Sequence, residues 1–235
     1  MSTAREKIFS TLRRGLKRGQ EDAASYDAAV ARVNQRIGAP QRNLVPQRAQ
    51  LPQPQQVELF IQKATALTVT VDRVAAPQDV PEAIANYLAQ RNLPTTLRLA
   101  PHPDLQALPW ADKPLLSIEA GPGRSRDLVS VTPAFAGIAE TGTLMLHSGS
   151  QTATTLHFVP DNHIVVMRSS QITGSMEDAF AKLRQSIGGV QNWPRSVNLV
   201  TGPSRTADIE GVPVLGAHGP RQLHIVLIDD AAQEG

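Results

Sequence analysis

Apolar residues recur along this chain in two rhythms, and the rhythm changes mark the elements. Ile8, Phe9, Leu12 and Leu16 fall on one side of a helical stretch, and Tyr26, Val30, Val33 and Ile37 repeat the pattern in a second. The second helix is expected to start at the acidic pair Glu21 and Asp22 and to stop at Gly38 and Pro40. Residues 38–56 then lose all periodicity and carry Pro40, Pro46, Pro52 and Pro54 among glutamines, which reads as an extended, semi-rigid linker. From residue 57 onward helical and strand patterns alternate. Helices are expected over 57–67, 81–91 and 176–187, the last with Ser175 as N-cap ahead of Glu177 and Asp178. Strands are expected over 68–74, 96–99, 115–118, 128–131, 142–147, 155–159, 164–168, 196–200 and 223–228.

Several of those strands are apolar at nearly every position, so both of their faces must be covered. Strands of that kind, alternating with helices, predict an α/β fold with a mostly parallel, buried sheet. The organisation expected is a helical arm (1–37), a Pro/Gln-rich linker (38–56) and one α/β domain (57–235). No internal repeat and no Walker or Rossmann glycine signature interrupts it.

Composition narrows the function classes. The chain has no cysteine, which excludes disulfides, thiolate zinc sites, cysteine nucleophiles and Cys-ligated iron–sulfur clusters here. No apolar run reaches the length of a membrane span and no signal-peptide core follows Met1, so a cytoplasmic protein is expected. A net charge of +2 does not suggest a nucleic-acid binder. The charge is uneven, however: Arg5, Lys7, Arg13, Arg14, Lys17 and Arg18 face only Glu6 in the first twenty residues. That segment reads as a nucleic-acid arm, a transit peptide, a membrane-surface helix or, preferred, a solvated helix face. The six histidines (His102, His147, His157, His163, His218 and His224) show no ligand spacing such as HExxH, and strand histidines are read as packing. No bound metal is expected.

Three segments stand apart from generic α/β sequence. In Gly137–Thr143 (GIAETGT), Glu140 sits at the mouth of a Thr141-Gly142-Thr143 turn that runs into a strand. Glycine permits close approach and the hydroxyls flank it, which suits an anionic or polar ligand; on spacing alone a self-bonded polar turn is the preferred reading. In GPSRTADIE, Gly202, Ser204, Arg205 and Thr206 follow an apolar strand, the arrangement by which α/β proteins offer N–H groups to anions. Arg205 adds a fork for a carboxylate or phosphate. Asp208 and Glu210 read as acid–base groups, metal ligands or, most plainly, helix-start acids. In GAHGP, His218 is pinned between small residues beside Gly219, suited to ligand contact or proton transfer, although a lone histidine more often satisfies loop carbonyls. In an open parallel sheet ligands bind outside the carboxyl ends of strands, and the Ser204 loop is expected there.

These stretches, with the 160–166 segment and the basic opening helix, resemble the lactate-utilisation protein C family (LUD domain). The likeness runs over about residues 57–228 as several ordered matches. The resemblance implies a three-layer α/β/α sandwich like the sugar-phosphate isomerase, CoA-transferase and formyltetrahydrofolate cyclo-ligase group. It also implies a part in oxidising L-lactate to pyruvate beside iron–sulfur partners, the lactate-utilisation subunits A and B. The related B subunit shares this domain but adds cysteine clusters that this chain lacks. No cofactor is then expected on this chain, and the expected role is an accessory, ligand-binding subunit that holds a small anion, with a second copy of the chain (a homo-oligomer) as a further candidate partner. Two alternatives stay open. One is a stand-alone transferase- or ligase-type enzyme with Glu140 as nucleophile or base and His218 in catalysis, binding a phosphate- or CoA-bearing molecule. The other is a scaffold or regulator that uses the basic arm.

Overall fold

The structure, a computed structural model, describes residues 3–16, 23–39, 41–206 and 214–230. Two compact units divide it, Met1–Leu44 and Val45–Gly235. The first holds two helices, α1 (Ala4–Gly15) and α2 (Ala23–Gly38). At the start of α1 the Thr3 hydroxyl accepts from the Glu6 N–H while the Glu6 carboxylate accepts from the Thr3 N–H, a reciprocal cap. Glu21, Asp22 and Pro40, expected to bound the second helix, lie outside the described residues. Among the described residues, no helix is long and apolar enough to cross a membrane.

The second unit begins earlier than composition suggests. Residues from Val45 onward belong to it, with a helical turn at Gln47–Ala49 and α3 over Gln53–Ala66. The stretch read as a linker is therefore packed over its second half. The reason is chemical: Gln50 donates to the Val45 carbonyl, Gln53 to those of Ser169 and Ile172, and Gln56 to that of Leu51. Amides that look like linker composition are here satisfying carbonyls, and they leave Ala49 only 3% exposed.

The remaining elements follow in order. They are β1 (Thr70–Val74), α4 (Val80–Gln90), β2 (Thr96–Leu99), α5 (Pro103–Gln106), β3 (Ser117–Ala120), β4 (Val129–Pro133), β5 (Ala136–Ile138) and β6 (Thr143–His147). Then come α6 (Thr155–Phe158), β7 (Asn162–Arg168), β8 (Ile172–Thr173), α7 (Met176–Ile187), β9 (Val197–Val200), β10 (Arg205–Thr206), β11 (Val214–Leu215) and β12 (Gln222–Ile228). Six strands form a wholly parallel sheet in the order β1-β12-β7-β4-β2-β3. The two most apolar strands, β7 and β12, sit side by side near its centre, as burial on both faces requires.

Alternation along each strand separates two cores. Ile164, Val166, Val226, Val131 and Leu97 pack with Val80, Ile84 and Leu88 of α4. Val165, Met167, Ile225 and Leu227 face the other way, onto Val57, Phe60 and Ala64 of α3. Helices thus cover both faces of the central sheet, as expected. On the α3 side stands a second, four-stranded sheet, β8-β5-β6-β9, whose Leu144 and Leu146 join that core. Its outer face carries α7 through Ala179 and Leu183. Ser175 caps α7 by accepting from the Asp178 N–H, as the sequence predicts.

Two expectations need correction. Residues 155–159 are not a strand: Thr155–Phe158 is a single helical turn with Leu156 and His157 both buried. So short an apolar pattern does not distinguish one turn from a strand. And 142–147 and 196–200 do not extend the parallel sheet; as β6 and β9 they pair antiparallel in the second one.

Candidate functional site

The first motif segment leaves β5 and turns into β6. Its backbone is tied to the approach to α7: the Ala139 N–H donates to the Thr173 carbonyl and the Glu140 N–H to that of Gly174. The Glu140 side chain, 9% exposed, accepts from the Met176 N–H through Oε1 at 3.2 Å and pairs with Arg48 through Oε2 at 3.6 Å. A carboxylate on the first N–H of a helix gains from the helix dipole. Both Glu140 oxygens are therefore engaged, and they anchor the 45–50 segment to the start of α7.

Gly142 takes φ +66°, and a Cβ there would lie 2.5 Å from the Ala64 nitrogen. The close approach its bareness permits is filled by the end of α3. Gly202 repeats the arrangement with φ +91° and Leu67 at 3.2 Å from the place of a Cβ. Between the two glycines runs a chain of hydroxyls: Thr143 Oγ1 lies 2.7 Å from Thr141 Oγ1 and 2.8 Å from Thr201 Oγ1. Arg205 donates to the Thr68 hydroxyl just beyond α3, and Thr206 pairs with Val214 across the β10–β11 ribbon. The first two motif segments thus meet at the carboxyl end of α3.

The second and third segments meet through Ser204. Its N–H donates to the Pro220 carbonyl at 2.8 Å, its carbonyl accepts from the Gly216 N–H at 3.0 Å, and its hydroxyl accepts from the His218 N–H at 3.2 Å. Gly219 lies in the same clasp, with Ser204 and Phe158 around the place of its missing Cβ. The His218 side chain is exposed. All three segments are therefore joined, though Glu140 and His218 sit at opposite ends of the junction: the contacts of the Glu140 carboxylate are with Met176 and Arg48. Asp208 and Glu210 lie outside the described residues.

The placement of this junction differs from expectation. Because β9 belongs to the second sheet, the Ser204 loop does not follow a strand of the parallel one. It closes on Pro220, immediately before β12, at the amino end of the central sheet.

Two further groups of residues lie outside the three motif segments. One is a set of buried histidines. His163 Nε2 is 2.7 Å from Thr132 Oγ1, His157 Nδ1 accepts from Asn198 at 3.2 Å, and their rings lie 5.8 Å apart. His224 stacks on Tyr87 at 3.9 Å and bonds Thr70 at 2.8 Å. Burial, aided by His157, pushes His163 down to about 3; burial also takes His157 and His224 down to about 4. All three are neutral at pH 7, as the packing reading of strand histidines requires of His163 and His224. The other group surrounds Arg168, at the carboxyl end of β7. There burial pushes the Asp230 carboxyl up, but hydrogen bonds from Ser170 and Ser169 outweigh it and hold the group below the usual carboxylate range. A charged residue closing an apolar parallel strand was the available signal, but its importance depends on strand order.

Comparison with known proteins adds the following. Residues 57–228 match the family model described as the LUD domain. Lactate utilization protein C of Geobacillus thermodenitrificans is 34% identical over 93 residues, 40% of this chain and 39% of the relative. The protein of the same name from Bacillus subtilis is 33% identical over 102 residues, 43% of this chain and 42% of its own length. The uncharacterized protein YkgG of Escherichia coli is 32% identical over 102 residues, 43% and 44% of the two chains. The matched stretch spans about two fifths of these curated relatives. A crystal structure of a DUF162 family protein from Deinococcus radiodurans superposes with a TM-score of 0.57 at 23% identity, covering 76% of this chain and 99% of that one. This likeness shows a shared fold.

Proposed function

The chain belongs to the LUD-domain family, and from that premise we propose that it is a non-redox component of L-lactate utilisation, acting beside iron–sulfur partner proteins in oxidation of lactate to pyruvate. The observation that carries the reading is the family match over 57–228, joined to relatives named for lactate utilisation. That span contains all three motif segments, and they are hydrogen-bonded to one another.

The division of labour follows from side-chain chemistry. With no cysteine, this chain has no thiolate to ligate an iron–sulfur cluster, which supports placing such clusters on partner proteins. What remains for it is to bind, orient and assemble. The exposed His218 ring and the Arg205 guanidinium stand on a junction held by α3 and Ser204, which suits contact with a partner or a small anion. A transferase-type role for Glu140 gains no support from its surroundings, since both of its oxygens are already engaged.

Deleting the coding sequence in the source strain is expected to abolish growth on L-lactate as sole carbon source while leaving growth on glucose unchanged. The full chain supplied in trans should restore it. Undiminished growth of the deletion strain on L-lactate would remove the proposal.

A further inference from the structure

The central sheet changes direction at one place. From β2 the chain moves outward to β3, whereas from β4 it moves inward to β7 and then β12. Connections therefore leave neighbouring strands β2 and β4 toward opposite sides, and the crevice outside their carboxyl ends is where an open α/β sheet takes a ligand. A cleft of about 160 Å³ opens there. Its apolar wall includes Leu105, Leu108, Val166 and Ile228, and its polar wall includes Asp104 and Arg168. Among the described residues, none of the three sequence motifs lines it.

Arg168 is held firmly but left available. Its N–H donates to Gln171 Oε1 at 2.6 Å, and Gln171 Nε2 in turn donates to the Ala134 carbonyl at 2.9 Å, which fixes the turn at the strand end. Its guanidinium comes only within 3.9 Å of Asp230, while that carboxylate accepts from Ser169 Oγ, Ser170 N–H and Ser170 Oγ at 2.7–2.9 Å. The fork is thus 44% exposed, with its acidic neighbour bonded elsewhere. Asp104, 74% exposed in the first turn of α5, supplies an acceptor on the same cleft.

The geometry points to this cleft as a binding site for a small 2-hydroxy monocarboxylate. The carboxylate pairs with Arg168, the hydroxyl donates to Asp104, and the short alkyl group rests on the apolar wall. Size argues for a small ligand, because pockets that enclose drug-sized molecules measure about 300–1,000 Å³. Charge argues for a single carboxylate, because a second one would face Asp104. The choice of a hydroxy acid rests on the lactate-linked reading above; the cleft and its charges do not.

Calorimetry on the purified full chain tests it, with L-lactate, propionate and malate as probes. L-Lactate is expected to bind, and propionate, lacking the hydroxyl, to bind about tenfold more weakly. Malate should bind more weakly than lactate. Arg168→Gln should weaken lactate binding by about tenfold or more at unchanged Tm, because a charge-assisted pair is lost. Leu108→Trp, which fills the cleft, should abolish binding independently, and Asp104→Asn should bring lactate and propionate within about threefold of each other. Failure of L-lactate to bind the wild-type chain, or wild-type affinity in both Arg168→Gln and Leu108→Trp, would overturn the site. Lactate binding and growth on lactate are separate readouts. A deletion strain that cannot use lactate, together with a chain that does not bind it, would sink the cleft alone. A chain that binds lactate in a strain that grows without it would sink the component reading alone.

Discussion

Replacing Gly174 with alanine is expected to destabilise the larger unit by about 3 kcal/mol or more, the upper range for forced overpacking. A Cβ at that position would lie 1.8 Å from the Ala49 carbonyl oxygen and 2.9 Å from its carbon. These are backbone atoms of buried Ala49, in the turn Gln47–Ala49, so no side-chain rotation relieves the overlap. The 45–52 segment must move, and with it go the Arg48 pair to Glu140 and the Gln53 bonds to Ser169 and Ile172. Gly149→Ala is the matched control, since its new methyl meets only Thr152 Oγ1 at 3.6 Å, an ordinary contact. Urea denaturation monitored by circular dichroism should show the loss for Gly174→Ala and a change within about 0.5 kcal/mol for Gly149→Ala. Equal stability of the two variants would mean that the 45–52 segment does not pack as described.

Acidification is expected to have a larger effect still. His163 protonates only at about pH 3 in the folded chain, and His157 and His224 at about pH 4, whereas an unfolded histidine takes its proton near pH 6.5. Between about pH 6.5 and 4 the unfolded state therefore binds more protons, and stability rises with pH across that window. Running downward, it is full above about pH 6.5 and lost as pH falls toward the folded values. Each histidine contributes about 1.4 kcal/mol per pH unit inside the window, so the three together approach about 4 kcal/mol per unit near pH 5. Set against a typical total of about 5–15 kcal/mol, that slope is enough to unfold the domain between about pH 5 and 4. Asp72, 3.7 Å from His224 Nε2 but 49% exposed, offsets little of the burial. Urea midpoints measured from pH 7.5 to 4.5 should fall steeply below about 6.5, and His157→Leu should reduce the slope by about one proton. Midpoints flat between pH 7 and 5 would contradict neutral burial of these rings.

Much of this architecture can be read from patterns in the chain. The continuous apolar runs at 164–168 and 223–228 become the two central strands, and Ser175 caps α7 where its hydroxyl and the following acids predict. What single-chain patterns do not encode is pairing. Nothing local in 142–147 or 196–200 says that these strands turn to each other rather than to the parallel sheet, and the misplacement of the Ser204 loop follows from that one ambiguity. The three motifs were recognisable by their glycines and hydroxyls, and Thr143–Thr201 and Ser204–Pro220 do bring them together. The packing served by Gly142 and Gly202 is legible only once α3 is seen lying against them. Nothing in the sequence links Arg168 to Asp104, for a different reason: they are 64 residues apart (168 − 104) and share a cleft only because β7 lies two strands from β2 in the sheet. The glutamines of 50–56 mislead in the opposite direction, since their composition matches a linker while their amides bond backbone carbonyls.

The proposed role is that of a needed, non-redox component of lactate oxidation. It is tested most directly by affinity capture of the full chain from L-lactate-grown cells, with lactate oxidation assayed on the eluate before and after the chain is removed. Iron–sulfur proteins are expected to co-purify, and lactate oxidation to drop when the chain is depleted and to return when purified chain is added. Full activity in the depleted fraction, or recovery of the chain alone from those cells, would contradict it.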